Sequence, residues 1–412
     1  MHVETFDGRI GANRRDLRAA HLRLAPLIRL PYRYRPWRPR HIRLAVRDLT
    51  GLPDRPPRDD LTHLAAALNW LCLAQNMRNR QPDAGSVSAG WSFEDGWLPG
   101  YPETTGYIVE TFIEAAEVLE RPDLIGRAHR MIDWELSLQH ADGTFPGHYG
   151  EPGSKPIIFN TGQIIHGLLA GHLRLGRPEC LAAAVRASLW LVEKQDADGC
   201  WRRSQHNDMP HTYDTRASWA LLRTGLVTQE PVLQRAAVRQ LDWGLRQQED
   251  DGWFASNAFT RDAAPFTHTI AYAISGFLES GLLLGEERYL CAARKAARAL
   301  ANIQRSDGWL AGAYNRNWRA RASYCCLTGV AQMAVNWAVL AVSCGAVEFA
   351  HHARLALAYL KRHHRVAARD AVIRGGIAGS YPIWGAYERF CYPAWAVKFF
   401  ADAIMLVGRI AT

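Results

Sequence analysis

The phrase Gln-x-x-Asp-Gly occurs four times, at Gln139–Gly143, Gln195–Gly199, Gln248–Gly252 and Gln304–Gly308. The glutamines stand 56, 53 and 56 residues apart, and an aromatic follows each phrase: Phe145, Trp201, Trp253 and Trp309. A fixed period of this length means that one supersecondary unit is used repeatedly. That constrains the fold more tightly than any local propensity.

Each phrase closes a helix-like stretch. Leu181, Ala184, Val185, Ser188, Leu189 and Val192 precede Gln195, and Leu233, Ala236, Ala237, Leu241, Trp243 and Leu245 precede Gln248. Steps of three and four are the helical period. Asp-Gly then supplies a chain reversal, because glycine takes the positive φ needed past a helix end. A second, more apolar stretch follows each loop, near 104–120, 160–176, 214–226, 268–284, 327–343 and 394–408. Helices apolar nearly all round are buried, and helices with one charged face are peripheral. The unit is therefore an inner helix followed by an outer one.

Counting closes the figure. The outer-type helix near 60–78 has no inner helix before it, and the inner-type helix near 394–408 has no outer helix after it. Their pairing makes six inner–outer pairs, an all-α (α/α)6 toroid over residues 59–412, with residues 1–58 as a basic N-terminal arm. The alternative is an open superhelix of helix pairs.

Charge is concentrated in the arm. Residues 1–60 hold 14 Arg and no Lys against 7 acidic residues, while the whole chain carries +9. Arg33-Tyr34-Arg35-Pro36-Trp37-Arg38-Pro39-Arg40 mixes basic, aromatic and proline residues. A nucleic-acid role is set aside in favour of an arm wrapped over the ring, with Leu17, Leu24, Leu27 and Ile28 packed down. Peripheral membrane contact through that arm is retained. No apolar run reaches the ~18 residues of a membrane span, and the N-terminus lacks the basic-then-apolar order of a secretory signal. The eight cysteines form no Cys-x-x-Cys pair, which reads as reduced thiols in the cytoplasm.

The two ends of the ring differ. Inner-to-outer connections are short, as at 120–123 and 176–179, whereas outer-to-inner loops are long, and long loops carry function. Those loops lead to the N-termini of all six inner helices, so positive dipole ends gather at one mouth. The mouth sequences contain Tyr101 and Glu103, Asn160 and Gln163, His211, Tyr213, Asp214 and Arg216, His268 and Tyr272, and Tyr392 and Trp395. A threonine recurs at the helix start as a cap or packing residue, beside a polar residue that varies: Thr104, Asn160, Asp214, His268. Asp214 and Asn160 have plain helix capping as their alternative role. Trp201, Trp253, Trp309, Trp318, Arg374 and Tyr387 lie in the long loops, where aromatic faces with Arg and Asn would make a glycan cleft. For the first three tryptophans, packing against the next helix pair is the simpler reading.

Gly100-Tyr-Pro-Glu-Thr-Thr-Gly-Tyr107, Phe159-Asn-Thr-Gly-Gln163, His211-Thr-Tyr-Asp-Thr-Arg216, Thr267-His-Thr-Ile-Ala-Tyr272, Arg374-Gly-Gly-Ile377 and the run from Tyr392 to Asp402 resemble exopolysaccharide-cluster proteins of the VpsJ type. The resemblance covers roughly 90–405 and implies a toroid working on a polysaccharide or its precursor. It transfers no catalytic assignment. A looser similarity links the repeats to squalene cyclase and prenyltransferase toroids. This chain lacks the Asp-x-Asp-Asp acid of those cyclases, and Cys325-Cys326 alone is weak support for a zinc set. No metal and no cofactor are expected.

Three functions compete. In a lyase-type elimination on a uronate, His268 is the base, Arg216 with Asn160 binds the carboxylate, and Tyr213 or Tyr272 donates the proton. A sugar epimerase using His211 and His268 is a variant of that chemistry. A glycoside hydrolase would pair Glu103 with Asp214. The third is a non-catalytic glycan-binding subunit of an assembly system. Tyr101, Gln163, Arg374, Tyr387, Tyr392 and Trp395 are expected to bind the polysaccharide or oligosaccharide, acidic or lipid-linked.

Overall fold

The computed structural model describes residues 33–35, 37–50, 57–151 and 153–411. The expected packing of Leu17, Leu24, Leu27 and Ile28 lies outside them. The short helix α1 spans Pro39–Thr50, and the first outer helix, α2, spans Asp60–Asn76. Inner helices are α3 (Pro102–Val118), α5 (Ile158–Leu175), α7 (Thr215–Thr228), α9 (Thr267–Leu284), α11 (Leu327–Ser343) and α13 (Ala394–Val407). Outer helices after α2 are α4 (Asp123–Leu138), α6 (Pro178–Lys194), α8 (Pro231–Leu245), α10 (Glu287–Ile303) and α12 (Glu348–His363). Burial separates the two classes as hydrophobic periodicity requires. Every residue of α5 from Ile158 to Gly171 is buried, whereas α10 buries Tyr289, Ala292, Ala293, Ala296, Ala297 and Leu300 along one stripe.

The ring is closed. Each inner helix packs on the next, α13 packs back on α3, and α2 pairs with α13. The two orphans of the count complete each other, and the architecture is an (α/α)6 toroid. Small residues allow the inner helices to approach closely: a Cβ on Gly162 would meet Ala217 at 2.7 Å, and one on Gly106 would meet Ile164 at 2.7 Å.

The repeated phrase turns out to be an outer-layer staple. Gln195 Nε2 donates to Gly199 O in its own loop (3.0 Å) and to Ala236 O on the next outer helix (2.8 Å). Gln139 reaches Gly143 and Ala183, and Gln248 reaches Gly252 and Ala292. Gln304 reaches His352 O (3.2 Å). Each Asp accepts the N–H two residues on, as Asp251 does from Trp253 (2.9 Å). The loop glycine has positive φ and lies against the next helix's backbone three or four residues beyond the glutamine's acceptor, where any side chain would collide.

Two further staples complete the hexad without the sequence phrase. Gln75 Nε2 donates to Gly85 O (3.0 Å) and Arg127 O (3.1 Å). At the seam His364 takes the glutamine's place: its Nε2–H donates to Gly375 O (2.9 Å), and its Nδ1 lies 2.7 Å from His63 Nδ1 on α2. Arg58 N–H donates to His63 Nε2 (3.1 Å), so the shared proton sits on His63 Nδ1. Gly85 and Gly375 have φ of +102° and +83°, like the four glycines of the phrase.

Short strands tie the long loops together on the mouth side. β1 (Gly90–Ser92) pairs with β2 (Gly96–Trp97), while β3 (Cys325–Cys326) pairs with β4 (Ser380–Tyr381). β5 (Cys391–Pro393) joins β1, with Trp91 opposite Tyr392. Helix α1 lies over these loops. Its Asp48 accepts from Arg365 Nη2 (2.7 Å) and Ile383 N–H (2.9 Å), and both side chains of that ion pair are buried. His41 stacks on Phe93 at 4.0 Å. No helix among the described residues is long and apolar enough to cross a membrane.

Candidate active site

Long loops deliver the chain to the N-termini of the inner helices, and the varied polar positions converge there. Glu103, in the first turn of α3, is buried and bonded on one oxygen: Tyr101 OH donates to Oε2 at 2.7 Å. The Asn160 amide, turned to satisfy its neighbours, donates to the same oxygen (3.0 Å) and to His206 Nε2 (3.1 Å). Its oxygen accepts His148 N–H (3.1 Å). Burial raises the Glu103 carboxyl to about 7, against the opposing pull of Tyr101 and Arg216. A carboxyl at that value exchanges protons near neutral pH.

Asp214 precedes α7 but does not cap it through its side chain. Its Oδ2 accepts from Gln205 Nε2 at 2.6 Å, while Oδ1 has no protein partner. Burial holds this carboxyl well above the ordinary range. Burial therefore favours its protonated form, and with Oδ2 accepting from Gln205, Oδ1 is the oxygen open to a proton. Asn160 lies inside the first turn of α5 and is no cap either. Both capping alternatives fall.

Arg216 is buried with no carboxylate in ion-pair range among the described residues. Gln163 Oε1 accepts from its Nε (2.7 Å) and Ser275 Oγ from its Nη1 (2.9 Å). The guanidinium lies over the Trp219, Tyr272 and Phe399 rings at 5.2–5.7 Å. A buried cation without a paired counter-charge is costly; the carboxyls that feel its charge, Glu103 and Glu279, are both raised by burial to about 7. His268 is held at about 3 by burial, partly offset by Gln332. Its Nδ1 lies 2.8 Å from Gln332 Oε1. The oxygen can only accept, so Nδ1 carries the proton and Nε2 keeps its lone pair. His206 and His211 are likewise held low by burial, at about 3 and about 4.

An aromatic wall encircles these groups. Tyr213 meets Phe159 edge-on (5.1 Å), Phe159 meets Tyr272 (4.9 Å), Tyr272 meets His268 (4.5 Å), and His268 meets Tyr387 (5.1 Å). Trp395 Nε1 donates to Tyr387 OH (2.8 Å), and Tyr101 stands edge-on to Trp395 (6.1 Å). His211 stacks on Tyr213 at 4.4 Å and donates from Nε2 to His206 O (2.8 Å). Several buried polar atoms of this wall have no protein partner: Tyr213 OH, Asp214 Oδ1, Gln205 Oε1 and Gln332 Nε2. Unsatisfied groups cost about 1–3 kcal/mol each, and their gathering in one crater points to a polar ligand that pairs with them. Toward the C-terminal halves of the inner helices the lining becomes charged, with Arg223 on Glu110 (2.8 Å) and Lys398 on Asp402 (2.5 Å).

The structure thus brings Tyr101, Glu103, Asn160, Gln163, His211, Tyr213, Asp214, Arg216, His268, Tyr272, Tyr387 and Trp395 to one mouth. Two expected binders are elsewhere. Arg374 is exposed and spends its guanidinium on Ala368 O and Arg369 O of its own loop. Tyr392, on β5, faces Trp91 and the Asp48–Arg365 pair, because strand pairing with β1 turns it away from the crater. Among the loop tryptophans, Trp201 is buried and donates to Leu191 O (2.8 Å). Trp253 packs against Trp318, whose indole donates to Asp251 O (3.1 Å), and Trp309 lies under Arg305. All four are scaffold. The recurring threonines pack rather than cap, as Thr215 Oγ1 does on Ala273 O (3.2 Å). Gln205, His206 and Gln332 were not anticipated. Gln332 had a signal: Thr328, Gln332 and Asn336 form one polar line along an otherwise apolar helix.

The squalene-hopene cyclase C-terminal domain family matches residues 99–278. This stretch holds three of the four repeated phrases. No curated protein matches. Among solved structures, an unsaturated glucuronyl hydrolase described as specific for heparin superposes with a TM-score of 0.68 at 14% identity. It covers 85% of this chain and 98% of its own. The unsaturated glucuronyl hydrolase of Bacillus sp. GL1, described as responsible for glycosaminoglycan degradation, gives 0.64 at 16%, covering 84% and 97%. A Streptococcus agalactiae variant of such an enzyme, complexed with dGlcA-GalNAc6S, gives 0.64 at 11%, covering 86% and 93%. At these identities the likeness establishes the fold.

Proposed function

We propose that the ring, residues 59–412, is a glycan-processing enzyme that hydrolyses a glycosidic bond beside a uronate or similarly acidic sugar. One observation carries this reading: Glu103, held near pH 7 and bonded by Tyr101 and Asn160, lies at the same end of the ring as the buried carboxyl of Asp214 and as Arg216, which has no carboxylate in ion-pair range among the described residues. Arg216 would take the sugar carboxylate, with Gln163 and Ser275 fixing the guanidinium. Glu103, ionised, would accept a proton from water as the water oxygen attacks the anomeric carbon. Asp214 would pass its proton to the departing oxygen, so one glycosidic bond breaks and one C–O bond to water forms. The aromatic wall would bind sugar faces. The glycan complex of the Streptococcus agalactiae relative supports an oligosaccharide as the ligand class.

Proton abstraction from a uronate, by lyase or epimerase chemistry, is the second reading. It is favoured by the fixed tautomer of His268, with Nε2 unprotonated beside Tyr272. An imidazole held at about 3 is a weak base at neutral pH, which places this reading second. The same proposal puts the chain in the cytoplasm, acting on exopolysaccharide or a lipid-linked precursor, with residues 1–58 as a basic appendage that contacts the membrane.

Acidic oligosaccharides, saturated and with unsaturated uronyl ends, separate the readings. A hydrolase releases reducing ends without creating ultraviolet absorbance. Elimination creates a new absorbing double bond. Epimerisation gives neither but exchanges the C5 hydrogen with deuterated solvent, and binding with none of the three would make the crater a glycan-holding subunit.

A further inference from the structure

Helix α1 presents three faces. His41, Leu44 and Asp48 point into the ring. Ile42, Val46 and Leu49, at spacings of four and three, form an outer apolar edge that is 46%, 49% and 71% exposed. Arg38, just before the helix, and Arg43 on the adjoining outer edge are exposed, while Arg40 is paired with Asp370 (2.5 Å) and Arg33 with Glu94 (2.6 Å). Trp37, just before the helix, is 55% exposed, and Leu61 at the start of α2 is 57% exposed. Residues 33–50 contain six arginines and one carboxylate, Asp48, which is buried on Arg365.

We propose that this face docks the ring on an anionic lipid membrane. A bulky apolar stripe beside an arginine edge suits a helix lying in the plane of a bilayer surface, with its aliphatic side chains in the acyl boundary and guanidinium groups on headgroup phosphates. Nucleic acid would satisfy the arginines but leave Ile42, Val46 and Leu49 in water. A second copy of the chain would bring the same arginine-rich edge against itself, since a two-fold interface uses one patch twice. The membrane alone matches both chemistries. Docking here has a consequence for the crater. Asp48 accepts from Ile383 N–H and Tyr34 packs on Phe390 at 4.6 Å, so α1 sits on the loop that carries Tyr387 into the mouth. A saccharide on a membrane-held lipid would be presented beside that loop. The docking surface deepens the glycan-processing reading without depending on it.

The test is co-sedimentation of the full chain with phosphatidylcholine vesicles, with and without phosphatidylglycerol. Binding is expected only to the anionic vesicles, and to weaken as salt is raised. Ile42→Asp/Val46→Asp/Leu49→Asp should lower the bound fraction about tenfold or more. Arg38→Glu/Arg43→Glu should do the same, with melting temperature and turnover of soluble oligosaccharide unchanged. Wild-type protein that ignores anionic vesicles would overturn the proposal, as would either variant sedimenting like wild type. So would variants that convert a dimer to a monomer in light scattering while the parent shows no lipid binding. Lipid binding lost with turnover intact leaves the hydrolase reading standing, and lipid binding without turnover on any glycan removes only that reading.

Discussion

The outer layer and the mouth are built on the same six-fold frame, yet they use it in opposite ways. Around the outside, one bond pattern recurs: at four interfaces a glutamine N–H clamps both a loop glycine carbonyl and a carbonyl of the next outer helix, Gln304 reaches the helix carbonyl, and His364 reaches the glycine carbonyl. The target is backbone, identical on every helix, so one residue type serves five times and a histidine serves once. At the mouth the equivalent helix starts carry Glu103, Asn160, Asp214 and His268, each with different partners. Repetition marks the scaffold, and variation upon it marks the site.

Substitutions at the two layers should therefore part company. Glu103→Gln should cut kcat by about 10²–10⁴-fold with little change in melting temperature. Because catalysis needs the ionised carboxyl, wild-type activity should rise as pH climbs through about 7, and the variant should lose that limb. A profile still rising through 7 in the variant would remove Glu103 from the mechanism. Asp48→Ala should leave the buried Arg365 without its carboxylate, costing about 3–5 kcal/mol of stability in chemical denaturation. Removal of residues 1–58 should carry the same penalty.

Gln195→Ala should cost about 1–3 kcal/mol through the loss of two hydrogen bonds while leaving turnover alone. An activity loss larger than its stability loss would break the division between layers. The smallest effect belongs to the seam. His364 is held at about 3 and His63 at about 4 in the folded ring, against 6.5 for the ordinary side chain. Their folded pKa values are depressed, so the unfolded chain binds more protons between 6.5 and 3. The stability they protect is complete above 6.5 and is lost as pH falls through that window. Glu103, Glu279 and Glu388, each raised to about 7, tilt the profile the other way. The contrast must therefore be read between proteins. His364→Gln, which restores the staple glutamine, should flatten the acid limb by up to about 1.4 kcal/mol per pH unit. An unchanged slope in urea melts across pH 4–6.5 would show that the seam pair does not titrate as a neutral unit.

Much of this architecture was legible from residue spacing. The glutamine period, the two helix classes and the complementary orphans led to a closed ring, and the threonine register led to Asn160, Asp214 and His268, with Thr104 at the position beside Glu103. Four staples were visible because they share a local phrase. The other two were hidden: Gln75 and Gly85 lie ten residues apart, and His364 is chemically unlike glutamine while making the same bond. Arg374 and Tyr392 were misplaced because loop residues have no fixed register with the helices they join. Gln205 and His206 escaped notice for the same reason, although one holds Asp214 and the other meets Asn160.

Periodicity alone determined that hairpins of helices would close into a hexad with one functional mouth, because burial of an apolar face leaves a helical repeat few other arrangements. Only the folded ring decided the chemistry of that mouth. The raised carboxyl of Asp214, the poise of Glu103, the tautomer of His268 and the setting of Arg216 all follow from desolvation and from partners that the fold supplies. Those quantities exist only once the loops have closed over the crater and water has been exchanged for protein.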